Sequence, residues 1–381
     1  RMKIGISGFA ADGGKSGISQ YMINVLLRLP RLDSTVRCVI FVPAAERTLF
    51  DPAASGSEIV SVPDWMAHPV ASILWHLCLY PLMLKRHHCD CAFLPAGNRR
   101  LGLWYGMPSV STIHDLSQLH IEGKYDPLRM FYIRRVLPLM MQRLTRLVSV
   151  SNSTRRDLVD HAGIHPENIR VAHNGADLSG FASTVRSEAR ETIAAAMGID
   201  SPFILYTARL EHPGKNHVRL LEAVALLKQH GLLAHKLVLA GSHWNGAEVI
   251  EDRIVQLGLT DDVILTGFVD AQLLPQLYAA ADVFVFPSLF EGFGIPLLEA
   301  MAAGTAVCAA NVSSIPEVVG DAALLFDPRE ADDIARQLGR LLQDNALRQQ
   351  LVARGRQRVL QFSWDDAASG VLQQCYEAVA A

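Results

Sequence analysis

Ser288-Leu289-Phe290-Glu291-Gly292-Phe293-Gly294-Ile295-Pro296-Leu297-Leu298-Glu299-Ala300-Met301-Ala302-Ala303-Gly304 is the stretch whose reading decides the fold. It leaves the apolar run Val283–Phe286, too short for a helix, and enters a segment headed by Pro296, a residue favoured in the first turn of a helix. A buried strand that hands a glycine-rich loop to a helix N-terminus is a building block of open parallel sheets. Glu291 then lies in the loop and Glu299 in the first turns of the helix. The loop amides around Gly294 and Ile295, and that of Leu297 just inside, are expected to be unpaired at the positive end of the helix dipole. Such an end suits a diphosphate, with the Glu299 carboxylate free to accept hydrogen bonds from two vicinal hydroxyls such as those of a ribose. The plain alternative makes Glu299 a dipole-facing residue and Glu291 a solvated loop carboxylate.

The same alternation runs outward in both directions. Met2–Ser7, Val36–Val42, Cys91–Leu94, Val110–Ile113, Leu147–Val150 and Ile169–Ala172 read as strands in the first half. Phe203–Thr207, Lys236–Ala240, Val263–Leu265, Val283–Phe286, Ala306–Ala309 and Ala323–Phe326 read as strands in the second. Continuous apolar strands separated by helical patterns imply parallel sheets covered on both faces. The pattern pauses between about 177 and 202, where one polar helix (roughly Arg186–Met197) separates the two strand sets. The expected organisation is therefore α/β, with two Rossmann-like, doubly wound domains, 1–178 and 179–363. Ligands in such folds bind at the carboxyl ends of the strands, which places the site in an interdomain cleft. Ser363 is a good N-cap for a final helix.

Half of the 381 residues are apolar and 19% are charged, which excludes a disordered chain and supports about two domains. The net charge of −3 argues against general nucleic-acid binding. It hides an asymmetry: residues 1–180 hold 20 Lys+Arg against 14 Asp+Glu, and residues 181–381 hold 15 against 24. The six cysteines show no metal-type spacing beyond Cys89-x-Cys91, and the expected compartment is a reducing cytoplasm. His87-His88-Cys89-Asp90-Cys91 alternates faces and reads poorly as a metal site. Val70–Leu84 is apolar but shorter than a spanning helix. With its basic end, and with the basic amphipathic stretch from Arg129 to Leu144, it could instead touch an anionic membrane surface; the plain reading packs both against the sheet.

The first strand runs into Gly8-Phe9-Ala10-Ala11-Asp12-Gly13-Gly14-Lys15-Ser16-Gly17. A phosphate-binding P-loop would need its first glycine at Phe9, so that reading fails. What remains is a glycine-rich turn at a helix N-terminus, a place where backbone amides can meet an anion. Ile113-His114-Asp115-Leu116 ends an apolar strand, where residues facing a ligand should stand. Arg209 and Lys215, in Thr207-Ala208-Arg209-Leu210-Glu211-His212-Pro213-Gly214-Lys215-Asn216, follow another.

Together these segments resemble retaining glycosyltransferases of the GT-B fold, in particular glycosyltransferase family 4. Glu291 and Glu299 match its Glu-x-seven-Glu motif, and the similarity continues through Ala281–Ser288 and Ser314–Ala323. The resemblance implies that Arg209 and Lys215 hold the donor diphosphate, that Glu299 binds the ribose, and that Glu291 contacts the transferred sugar. It implies that His114 contacts the same sugar near the reacting centre, so that His114, Glu291, Arg209 and Lys215 form the catalytic set. Gly14 and Gly17 of the glycine-rich loop, the Val269 backbone, and the loop residues Gly292, Phe293, Gly294, Ile295 and Leu297 complete the donor site. Asn174-Gly175 resembles the turn that opens the interdomain linker, and the final helix (364–381) is expected to cross back onto the first domain.

No metal or other cofactor is expected from the resemblance; the nucleoside-diphosphate sugar is a co-substrate. The acceptor would be a hydroxyl of a growing glycan, often lipid-linked, in bacterial polysaccharide or lipopolysaccharide synthesis. The residues around Ser313-Ser314-Ile315-Pro316-Glu317 look most like bacterial polysaccharide mannosyltransferases, which implies GDP-mannose as donor. A UDP-sugar donor and a non-catalytic nucleotide-sugar-binding relative are the alternatives. The place of action would be the cytoplasm, at the inner face of the cell membrane if the acceptor is lipid-linked. Acceptor contacts are expected on the loops 9–16, 63–69, 96–103 and 116–126.

Overall fold

A computed structural model of the chain describes residues 2–14, 16–54, 56–97, 100–121 and 127–381. Lys15 of the glycine-rich loop, and Asn98, Arg99 and 122–126 of the expected acceptor loops, lie outside the described residues. The chain forms two compact units. The first comprises Arg1–Leu119, Tyr125–Gly175 and Phe362–Ala381; the second comprises His120–Lys124 and Ala176–Gln361.

In the first unit, seven strands form one parallel sheet: β1 (Lys3–Ser7), β2 (Arg37–Pro43), β3 (Ser57–Val62), β4 (Cys91–Leu94), β5 (Ser109–Ile113), β6 (Arg146–Ser149) and β7 (Ile169–Val171), in the order β3-β2-β1-β4-β5-β6-β7. Central strands β4 and β5 are buried at every position; β4 is an apolar run, whereas β5 buries hydroxyls that find partners, Ser111 donating to the Leu94 carbonyl and Thr112 bonding the Tyr21 hydroxyl. β3 has no counterpart among the expected strands. Its sequence Ser-Glu-Ile-Val-Ser-Val is half polar because it forms the sheet edge, pairing only with β2 and leaving most of its positions partly or fully exposed.

The second unit holds β8 (Phe203–Thr207), β9 (Lys236–Ala240), β10 (Val263–Gly267), β11 (Val283–Phe286), β12 (Ala306–Ala310) and β13 (Ala323–Phe326) in the order β10-β9-β8-β11-β12-β13, all parallel. The polar helix Arg186–Met197 precedes β8, with the bounds the sequence implies. The order reverses between β8 and β11. At such a switch point neighbouring loops diverge and leave a crevice at the strand carboxyl ends.

The helix Trp364–Ala380 belongs to the first unit, capped by Ser363, whose hydroxyl oxygen accepts the Asp366 amide. Arg28 donates to Asp365 at 2.7 Å, and Tyr376 donates to Asp33 at 2.6 Å. Gly175 faces the start of this helix so closely that a Cβ would stand 2.2 Å from the Trp364 backbone nitrogen. Glycine is thus required here by a close backbone approach; its φ is not in the left-handed region.

Two helical runs of the first unit widen into single π-turns, at Trp75–Leu79 and Tyr132–Val136. Each turn is followed two residues later by a proline, Pro81 or Pro138. Proline lacks the N–H for an i→i−4 bond and crowds the preceding turn, and a π-turn relieves both problems without ending the helix. None of the helices, among the described residues, is long and apolar enough to cross a membrane.

Candidate active site

The loops after β8 and β11 carry Arg209, Lys215 and Glu291. Lys215 Nζ donates to Glu291 Oε1 at 2.7 Å, with side chains only 25% and 15% exposed. Burial alone would lower the Lys215 pKa; the Glu291 charge and hydrogen bond, with Glu211 nearby, outweigh it and hold the ammonium above its ordinary value. Arg209 is fixed from two sides. Its guanidinium lies 4.5 Å over the Trp244 ring, and Nη2 reaches the buried Glu211 carboxylate at 3.4 Å. His217, two residues after Lys215, is pushed down to about 3 by burial and by the Lys215 charge, so it stays neutral.

The two loops are tied together by backbone and buried polar groups. The Leu289 amide donates to the Gly214 carbonyl at 3.0 Å. Tyr206, on β8, donates to the Lys215 carbonyl and bonds Ser288 Oγ. Asn216 takes a left-handed backbone and sends its amide group to the carbonyls of Pro287 and Pro328. Ser313 Oγ accepts the Glu291 amide, and Ser314 Oγ donates to the Glu291 and Phe293 carbonyls. The sequence patterns single out none of these five as site residues. Asn216 directly follows the lysine, and Ser313-Ser314 sits in the quoted motif, so position alone could have raised them.

The helix Ile295–Ala302 begins one residue before Pro296, with Gly294 as its left-handed cap at φ 100°. This geometry corrects one expectation. The Leu297 amide donates to the Gly294 carbonyl at 3.1 Å, because the tight cap brings that carbonyl within reach; the amide is not available to an anion. A second correction concerns Glu299, the fifth residue of this helix. Its Oε2 accepts the Tyr278 hydroxyl at 2.8 Å, and Tyr278 in turn bonds Thr207 at the end of β8. The carboxylate is therefore anchored at one oxygen. Burial raises its pKa, partly opposed by the Tyr278 hydrogen bond.

Val269 follows the left-handed Gly267 that closes β10, beside Phe268, whose ring is 71% exposed. Gly267 accepts the Gly241 amide, which links this edge to the loop that carries Trp244.

In the first unit, His114 follows β5 and is buried; its Nε2 stands 2.7 Å from the Pro95 carbonyl and therefore carries the proton. The Tyr21 ring meets it edge-on at 4.7 Å. The glycine-rich loop places Gly14 at φ +81° and Gly17 at the first position of the helix Gly17–Leu32. Ser16 and Ser19 close a capping box there, and the Gly13 amide donates to Glu46 Oε1 at 3.1 Å. Ser19 thus serves the helix cap, and a carboxylate of the chain itself uses one loop amide.

Comparison with known proteins assigns this arrangement. The model of Glycosyl transferases group 1 matches residues 189–358, and that of Glycosyltransferase Family 4 matches residues 15–179. The chain is 32% identical over 262 residues to O-antigen chain mannosyltransferase B of Escherichia coli, covering 68% of each protein. It is 31% identical over 268 residues to the serotype-specific mannosyltransferase WbdA of the same species, covering 68% of this chain and 32% of that one. Among solved structures, Anabaena Alr3699/HepE in complex with UDP and glucose superposes over the whole of both chains, with a TM-score of 0.75 and 22% identity. The paired parallel sheets, their switch-point loops and these matches make the chain a retaining glycosyltransferase of family 4, with the GT-B fold.

Proposed function

We propose that the chain transfers a mannosyl group from GDP-mannose, with retention of configuration, to a hydroxyl of a growing, lipid-linked bacterial glycan in the cytoplasm. The observation that carries this reading is the cluster of Arg209, Lys215, Glu291 and Glu299 around the switch point of the second unit. The likeness to two mannosyltransferases supports the sugar. Six free cysteines, five of them buried, fit a reducing compartment.

In this reading the charges of the site are balanced within the chain: Arg209 faces Glu211 and Lys215 faces Glu291. The donor diphosphate displaces Glu291 as the partner of Lys215, and the released carboxylate turns to the sugar. The anomeric C–O bond to the diphosphate then breaks while the acceptor oxygen attacks the same face. The acceptor proton leaves with the departing phosphate oxygen, so no protein base is needed, and attack on the face of departure needs no protein nucleophile. Arg209 and Lys215 stabilise the charge that grows on the leaving group, Glu291 supports the developing positive charge at the anomeric carbon, and His114 holds a sugar hydroxyl. Amides of Gly292, Phe293, Gly294 and Ile295 face the phosphates, the Val269 backbone reads the base, and Gly14 with Gly17 gives the first unit a close backbone approach.

The donor is tested by following diphosphate release by phosphorus NMR with GDP-mannose or UDP-glucose and water as acceptor. Faster GDP release is expected. Faster UDP release would replace the mannosyl reading by the second one, a UDP-sugar donor, which the fold shared with a UDP-bound structure supports. Release of neither would favour a non-catalytic relative.

Trp244 gives a further expectation, because its ring sets the position of Arg209. Trp244→Ala should raise the donor KM about 5–10-fold, the range of a partly desolvated cation–π contact. Trp244→Phe should recover most of it. Equal KM for all three proteins would sink this role.

A further inference from the structure

We propose that Ser313 is a positioning residue for the transfer step: its hydroxyl fixes the peptide of Glu291, from which the carboxylate exchanges Lys215 for the donor sugar. Ser313 acts only through Glu291, so this role rests on the proposed assignment of that carboxylate. Among the described residues five other than glycine hold a positive φ, and two of them, Asn216 at 60° and Ser313 at 49°, lie in the second unit. Both adjoin the Lys215–Glu291 pair. Asn216 follows the lysine directly, and Ser313 Oγ accepts the Glu291 amide at 3.0 Å.

Asparagine takes the left-handed region readily; serine does not, and glycine would stand there without strain. What serine adds to the turn between β12 and the helix Ile315–Val319 is a hydroxyl. Strain of this kind persists only where the surrounding structure over-determines it. Here the next residue does so. Buried Ser314 donates from Oγ to the Glu291 carbonyl at 2.8 Å and to the Phe293 carbonyl at 3.0 Å.

Glu291 therefore has its peptide tied on both sides, its N–H by Ser313 and its C=O by Ser314, although it lies beyond β11 and before the helix Ile295–Ala302. Its carboxylate is held by the 2.7 Å pairing with Lys215. In the proposed exchange that pairing breaks, and the backbone ties remain to aim the side chain at the anomeric carbon. A reacting group has to stand within about 0.5 Å of its productive place. With the peptide fixed beforehand, only the side-chain torsions of Glu291 change, and the loop loses no freedom in the transition state. Without the Ser313 hydroxyl the peptide is tied at its carbonyl and can pivot.

A plain structural tie costs stability when it is removed; a positioning role costs rate. Ser313→Gly separates the two, because glycine relieves the left-handed backbone while the hydroxyl is lost. It should melt close to the wild type and bind GDP with unchanged affinity in calorimetry, since GDP carries no sugar. Diphosphate release is followed by phosphorus NMR with GDP-mannose and with UDP-glucose, water being the acceptor. On the faster donor, kcat of Ser313→Gly should fall about 5–20-fold at a KM within about twofold of the wild type. Ser313→Asn, which tolerates the same φ and offers an oxygen to the Glu291 amide, should recover most of that rate. In a Glu291→Gln background, Ser313→Gly should slow release less than about twofold further. Wild-type kcat in Ser313→Gly beside an impaired Glu291→Gln would overturn the role of Ser313 and leave that of Glu291. So would an equal loss in the Gln background, or a loss that comes with a lower melting temperature and weaker GDP binding. Wild-type release by Glu291→Gln, or no release from either donor by the wild type, would remove the assignment of Glu291 itself and Ser313 with it.

Discussion

Lys215→Ala is expected to lower the rate of sugar transfer by about 10²–10³-fold, the range for removing one fixed donor from a developing negative charge. Two consequences follow from its 2.7 Å pairing with Glu291. The half-buried carboxylate loses its partner, so the variant should also be less stable by about 1–2 kcal/mol. Lys215→Ala/Glu291→Gln should recover that stability and none of the activity, because the neutral amide needs no cation while the diphosphate still does. Thermal melts and initial rates on the three proteins read the two effects separately. A double variant as unstable as the single one would contradict the pairing argument.

Glu299→Gln should move binding and stability in opposite directions. On the proposed reading the Glu299 carboxylate, held at one oxygen by Tyr278, accepts the ribose in charge-assisted hydrogen bonds, and their loss should weaken GDP binding roughly 30–100-fold. The same burial that raises the Glu299 pKa makes its ionisation unfavourable in the folded state. The sign follows directly: the folded pKa lies above the unfolded one, so ionisation erodes stability as pH rises from the ordinary value of 4.5 through the raised one. At neutral pH the unliganded Gln variant should therefore melt higher than the wild type, with Tyr278 donating to the new amide oxygen. The gap should close as pH falls and the wild-type carboxylate takes up its proton. Melting curves over an acid-to-neutral series check this; a variant that melts lower at neutral pH would mean that the Tyr278 contact, not desolvation, dominates.

Much of this arrangement is legible in the chain itself, and the reason is locality. Gly294 before Ile295-Pro296 marks a helix start and Val283–Phe286 a buried strand, so the place of Glu291 on the loop between them is set by neighbours in sequence, while its partners Lys215, Ser313 and Ser314 lie farther along the chain. The strands of the second unit are readable for the same reason. What the sequence hides is what depends on partners far along the chain. β3 is held by an edge pairing that leaves its sequence half polar. Tyr278 reaches Glu299 from another helix, and Trp244 reaches Arg209 from the next loop of the sheet. The Leu297 amide reads as available in sequence because the spacing of residues does not reveal how a left-handed cap tightens the first turn. The glycine at 175 is readable as a turn but not as a close approach, since Trp364 lies far away in sequence.

Everything proposed for catalysis requires that a nucleoside diphosphate bind the second unit through Lys215 and Glu299. Calorimetric titration of GDP, UDP and ADP into the wild type, Lys215→Ala and Glu299→Gln measures this without any acceptor. The wild type should prefer GDP, with binding weakened at least tenfold in each variant. GDP binding of wild-type strength in both variants, or no binding of any of the three nucleotides to the wild type, would contradict it.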